Sequence, residues 1–162
     1  ALPGLVAAWV DALRAYLPAG NGDDRGHVLF LAHSIPLRCV ERGDPYPAHV
    51  AETVKAIVGA LGRPVEWSIA YQSRTARGAW LSPSAESAVL DLARRGTRRL
   101  AVVPVSFVTE NLETLYDIDA NLAHLAAGAG LRRFARVPVP HAAAALIEGW
   151  ADLVEKALSG AA

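Results

Sequence analysis

An α/β fold is what this 162-residue sequence predicts: a four-stranded parallel sheet flanked by helices on both faces, with residues 1–162 forming a single domain. Three observations carry that expectation. Strand-like and helix-like stretches alternate strictly along the chain. The strand-like stretches are continuously apolar, the pattern of strands covered on both faces. The helix-like stretches place apolar residues three and four apart. Composition agrees, because 52% hydrophobic and 20% charged residues over this length can bury a sizeable core and argue against disorder.

Leu5, Val6, Trp9, Val10, Leu13 and Leu17 recur at helical spacing and predict a first helix over about 3–17, ended by Pro18 and Gly20. A polar, turn-rich loop follows at 21–26. Val28-Leu-Phe-Leu-Ala predicts the first buried strand, which runs into His33-Ser-Ile-Pro. A loop at 38–47 holds Gly43-Asp-Pro-Tyr-Pro. The helix after it, over about 48–61, turns Val50, Val54, Ile57, Val58 and Leu61 inward and stops at Gly62. The second strand is expected at 65–71, and a long loop at 72–83 carries Arg74, Arg77 and Trp80. A helix over 84–95 buries Ala88, Val89 and Leu92 and stops at Gly96. The third strand spans 100–105, the next helix 110–127 and a short fourth strand 134–139. A closing helix over about 142–158 turns Leu146, Ile147, Trp150, Leu153 and Val154 inward. The chain shows no internal repeat and no low-complexity segment.

Several function classes lose support at once. The formal net charge of zero gives no electrostatic case for nucleic acid. The single cysteine, Cys39, excludes an intrachain disulfide and an all-cysteine cluster. No apolar run approaches the roughly 18 residues of a membrane span, and the apolar opening lacks the basic lead of a signal peptide. A cytoplasmic location is therefore expected. The absence of any Met suggests an excerpt from a longer protein. Dinucleotide-binding, phosphate-loop and nucleophile-elbow motifs are all missing.

In sheets of this type ligands bind beyond the C-terminal strand ends, which here means the loops beginning at His33, Gln72, Ser106 and Pro140. His33 sits where a metal ligand or general base would stand, since imidazole serves both roles. A half-buried histidine that tidies a strand end fits the same position. On the 110–127 helix, Glu110, Glu113 and Asp117 fall within one arc at about 100° per residue, with Leu112, Leu115, Ile118 and Leu122 opposite. The helix dipole favours acid in the first turn but does not reach Asp117. That face is either solvated or the wall of a site. Arg74, Arg77 and Trp80 suit a flat anionic ligand or a solvated loop, whereas Asp44 and Tyr46 read as turn formers. His27, His49, His124 and His141 read as structural.

Five segments in order carry a resemblance: Phe30-Leu-Ala-His-Ser-Ile-Pro, Gly43-Asp-Pro-Tyr-Pro, Tyr71-Gln-Ser-Arg with Trp80-Leu-Ser-Pro, Val103-Pro-Val-Ser-Phe-Val, and Leu112-Glu-Thr-Leu-Tyr-Asp-Ile-Asp. Over about 28–155 the chain resembles the C-terminal half of the ferrochelatase family. That resemblance implies a chelatase-like half-domain, insertion of Fe²⁺ into a porphyrin in haem biosynthesis, and a cleft shared by two similar halves. It makes His33 and Glu113 the catalytic pair, His33, Glu113 and Asp117 the metal-binding residues, and Ser34, Gln72 and Trp80 substrate contacts. Iron is then a substrate, no cofactor is permanently bound, and no iron–sulfur cluster is expected. The implied partners are the porphyrin and either a missing N-terminal half-domain or a second subunit. Leu31, Asn111 and Asn121 depart from the family pattern: Ser or Thr, His, and a further acid are usual there. Two other readings remain, a short homodimeric chelatase for another tetrapyrrole and a non-catalytic tetrapyrrole-binding module.

Overall fold

The computed structural model describes residues 1–17, 26–72 and 78–160. Four parallel strands, β1 (Gly26–His33), β2 (Trp67–Gln72), β3 (Arg99–Val103) and β4 (Arg133–Arg136), lie in the order β2-β1-β3-β4. The expected four-stranded parallel sheet is therefore present. Its two central strands are apolar because both faces are covered. On one face Val28, Phe30 and Ala32 pack with Trp9 and Leu13 of α1 (Pro3–Arg14) and Val54 and Ile57 of α3 (Tyr46–Ala60). On the other, Leu29 and Leu31 pack with Val89 and Leu92 of α4 (Ala85–Arg94) and with the helix that follows β3. Alternate residues of one strand thus serve two cores.

The residues that end the helices behave as their chemistry dictates. Ser84 caps α4 by accepting a hydrogen bond from the Ser87 N–H. Gly62 and Gly96, which follow α3 and α4, adopt positive φ (69° and 87°), where an L side chain is strained.

Four expectations need correction. The loop at 38–47 contains a short helix, α2 (Leu37–Glu41), which buries no residue and so leaves no periodic apolar signal. The helix after β3 is not an α-helix throughout. Glu113–Leu122 is π-helical and continues into α5 (Ala123–Gly128). Its i→i+5 hydrogen bonds widen the turn, so the 3.6-residue wheel misassigns its faces. Leu112 and Leu115 are exposed (72% and 56%), and the buried stripe is Thr114, Ile118, Leu122 and Ala126. In α6 (Ala144–Leu158), Leu146 and Gly149 are buried, but Ile147, Trp150, Leu153 and Val154 are exposed. Every residue over 150–160 is exposed, because this helix runs on beyond α1, its neighbour in the fold. Finally, α1 ends at Arg14, earlier than position 17, and the stop at Pro18 and Gly20 lies outside the described residues. Among the described residues no helix is long and apolar enough to cross a membrane.

The α1–α6 crossing depends on two glycines. A Cβ on Gly4 would stand 2.1 Å from the carbonyl oxygen of Ala145, and Gly149 lies against Gly4 from the other side. Neither backbone can yield without separating the helices. Gly4→Ala is therefore expected to destabilise the fold by about 1–3 kcal/mol, the usual cost of overpacking. Gly59→Ala on α3 meets nothing within 4 Å and is expected to stabilise by roughly 0.4–1 kcal/mol. Urea midpoints of the two variants, moving in opposite directions from the wild type, are the measurement. A Gly4→Ala midpoint equal to that of the wild type would contradict the packing argument.

Candidate functional site

The sheet register brings two of the sequence-selected residues together. His33 ends β1 and is the Cα partner of Gln72, which ends β2. Leu29 and Leu31 face α4 and the π segment, and the same alternation puts His33 at the rim of that face. The backbone of His33 is held from two sides. Its N–H donates to Ser106 Oγ (2.8 Å), and its carbonyl accepts from the Tyr46 hydroxyl (2.8 Å). Its ring stands edge-on to Phe107 at 6.2 Å between centroids. The turn reading of Asp44 holds, since its carboxylate accepts from the Tyr46 N–H (2.9 Å). Tyr46 does more than form the turn. Burial, against a smaller opposing effect of the hydrogen bond with Ser106, pushes its phenol pKa up, so it remains a donor to His33.

Ser34 and Gln72 carry unused hydrogen-bonding capacity. The Ser34 N–H donates to the Gln72 carbonyl (2.7 Å), but Ser34 Oγ and Gln72 Nε2 are buried without a partner. Buried polar atoms are normally paired, so two beside one another at strand ends mark a place where a ligand or water completes the set. Gln72 also lines a cavity of about 550 Å³ together with Glu86, Asp117, Asn121 and His124. Trp80 lies elsewhere. Its backbone bridges Pro36, just beyond Ser34, and it lines a separate hollow of about 330 Å³ with Leu37, Arg38 and Glu41. Arg74 and Arg77 lie outside the described residues.

The π segment divides its carboxylates between two roles. Glu110, just ahead of it, accepts from Thr114 Oγ1 (2.7 Å) and Arg136 Nη1 (3.0 Å). Burial works to raise its pKa, but those bonds and the Arg136 charge outweigh it and hold the carboxyl below the usual range. Asp119 accepts from the two other guanidinium nitrogens of Arg136, Nε at 2.8 Å and Nη2 at 2.9 Å. Glu113 and Asp117 are left out of this network. Both are partly buried, and Asp117 has one long contact, from Asn121 Nδ2 at 3.5 Å. Among the described residues no group of three or more His, Cys, Asp or Glu stands ready to hold a metal ion. His33, Glu113 and Asp117 therefore form no preassembled ligand cage. His33 ends β1 at this rim beside Gln72, and Asp117 of the π segment lines the cavity that Gln72 borders.

Sequence reasoning missed Arg136, Tyr46, Glu86 and His124 as neighbours of this rim. Neither Arg136, one of two arginines that bound the short strand β4, nor the phenol of Tyr46 left a signal of its contact. Leu31 is fully buried beneath α4 and the π segment, which accounts for an apolar residue there. Asn111 caps the segment reciprocally with Thr114: its side chain accepts from the Thr114 N–H (3.0 Å), and its own N–H donates to Thr114 Oγ1 (2.9 Å).

Comparison with known proteins gives a consistent result. The sequence model of the ferrochelatase family matches residues 1–158. A ferrochelatase of Picosynechococcus is 40% identical over 157 residues, covering 96% of this chain and 41% of its own length. One of Thermosynechococcus vestitus is 41% identical over 158 residues, covering 97% and 41%. The chain thus spans about two-fifths of the length of these curated relatives. In fold it is similar to a CbiX protein of Marinobacter aquaeolei (TM-score 0.53, 20% identity, 83% of this chain and 98% of that one). It is also similar to a multi-domain Deinococcus radiodurans protein described as structurally similar to chelatases (TM-score 0.57, 17% identity, 94% and 29%).

The lowered pKa of Glu110 fixes the sign of a pH effect. A carboxyl whose folded pKa lies below its unfolded value adds stability that is complete above the unfolded pKa, about 4.3. That stability is lost as pH falls through the folded pKa. Glu110→Gln is therefore expected to cost most at neutral pH and progressively less towards pH 3. Urea unfolding of both proteins across that range is the check, and a gap between them that does not change with pH would refute the assignment.

Proposed function

The chain belongs to the ferrochelatase family, and from that premise we propose that it is the C-terminal half of a ferrochelatase, inserting Fe²⁺ into a porphyrin in haem synthesis. The observation that carries the proposal is the strand-end region: His33 ends the central strand β1 beside Gln72, and Gln72 lines one cavity with Asp117 of the acidic π segment that comes after β3. Metal insertion releases two protons from pyrrole nitrogens while the dication sheds water. Imidazole and carboxylate are both suitable transient ligands for Fe²⁺ and both accept protons. In this reading His33 takes a proton or ligates the metal, Glu113 is its acidic partner, and Asp117 extends the negative charge away from the centre. Ser34 and Gln72 turn their unpaired polar atoms towards the substrate, and Trp80, in the separate hollow beside Leu37 and Arg38, is a further substrate contact. Iron enters as substrate, and no permanently bound cofactor is assigned. With one cysteine, this chain supplies no all-cysteine cluster.

The same proposal includes a second half that closes the cleft. Its support is α6, whose exposed Ile147, Trp150, Leu153, Val154 and Leu158 form an apolar stripe on a helix extending past its own neighbours. Such a stripe requires burial, and the relatives have more than twice this length. A cytoplasmic site of action belongs to the proposal as well.

The test is insertion of Zn²⁺ into a porphyrin by the full-length protein, with His33→Ala and Glu113→Gln beside the wild type. Loss of a proton acceptor in the chemical step typically costs 10²–10⁴-fold, and a fall of roughly 10²-fold or more in kcat is expected for His33→Ala. Equal turnover by wild type and both variants would end this reading.

A further inference from the structure

A π-helix of ten residues is an unusual thing to maintain, because this geometry normally survives only as single-turn bulges. Something must prevent Glu113–Leu122 from rewinding into the α-helix that follows it. The core contacts of Ile118 and Leu122 hold one side of the segment. On the other side one side chain bonds two carboxylates, one ahead of the segment and one within it. Arg136 closes the edge strand β4, opposite Val102 of β3, and its side chain is only 10% exposed. Its planar fork is filled by two carboxylates nine positions apart in sequence. Nη1 donates to Glu110, ahead of the π segment, and Nε with Nη2 grips Asp119 within it, at 2.8–3.0 Å.

Glu113 and Asp117 lie between those two anchors. Rewinding from i→i+5 to i→i+4 bonding would rotate every later residue relative to Glu110, and Glu110 and Asp119 could no longer meet one rigid guanidinium plane. Lysine carries the same charge on a single point and cannot impose that geometry. We propose that Arg136 is a positioning residue: its fork fixes the winding of the π segment and thereby the direction in which Glu113 and Asp117 face. The proposal rests on the functional reading of those two carboxylates, although the winding itself can be measured without it.

Two arms test it, each on the wild type, Arg136→Ala, Arg136→Lys and Asp119→Asn, the last removing only one bond acceptor should the alanine variant fold poorly. Amide hydrogen exchange in the full-length protein is expected to accelerate roughly tenfold or more over 113–122 in all three variants, with β1 and α3 unchanged. Zn²⁺ insertion is expected to lose about 10²-fold in kcat, the scale of a 1 Å misplacement, with the porphyrin KM little altered and Arg136→Lys close to Arg136→Ala. Unchanged exchange over 113–122, or acceleration spread equally over the sheet, overturns the proposal. So does full activity in Arg136→Lys, which would mean that charge alone suffices. An inert wild type would sink the functional reading while the exchange arm still decides the winding.

Discussion

Strand β1 is the constraint on which the rest of the molecule depends. It lies between β2 and β3 with helices on both faces, and Leu29, Phe30 and Leu31 are each fully buried. Truncating a buried Phe costs about 3–5 kcal/mol, so chemistry has no room within the strand. Polar function can begin only where the strand leaves the core. The first residue to do so is His33, and the buried Ser34 follows with an unpaired hydroxyl. The pairing of β1 with β2 and β3 then decides what His33 meets: Gln72 by register, Ser106 and Phe107 through the loop after β3. The site is a consequence of strand order as much as of the residues in it.

A second consequence concerns charge. Four carboxylates crowd the neighbourhood of the π segment: Glu110, Glu113, Asp117 and Asp119. Arg136 satisfies two of them, and those two shape the backbone. The other two, Glu113 and Asp117, lie within the π segment with no cation bonded to either among the described residues. Like charges one turn apart repel modestly. On the proposed reading this negative surplus is what a dication would encounter, and the paired carboxylates keep it from being neutralised by a change of winding.

How much of this was legible depended on whether the signal was local. The strands, α3 and α4 could be read directly, since continuous apolar runs, three-and-four spacing and Gly62 and Gly96 record their own environment. His33, Ser34 and Gln72 were placed at strand ends by the alternation of elements alone. The faces of the 110–127 helix were misread because the apolar wheel assumes 3.6 residues per turn, and nothing in Glu113-Thr-Leu-Tyr-Asp announces a wider one. Tertiary pinning by Arg136, 26 positions after Glu110, is not a property of any short window. The closing helix failed differently. Trp150, Leu153 and Val154 do form an apolar face, so the periodicity was read correctly; a periodicity states that a face needs cover and not which chain supplies it.

Asn121 shows why a single departure from a family pattern has to be weighed in space. Read along the helix, it interrupts a row of acids after Glu113 and Asp117. In three dimensions it borders a cavity that also receives Glu86 from α4 and His124 from α5. The cavity therefore contains two carboxylates and an imidazole despite the amide, drawn from three elements instead of one. The amide has its own effect, because Nδ2 approaches Asp117 as a donor where another acid would repel it. At this cavity the ionisable groups come from α4 and α5 as well as from the π segment, so its charge is not a property of one helix face.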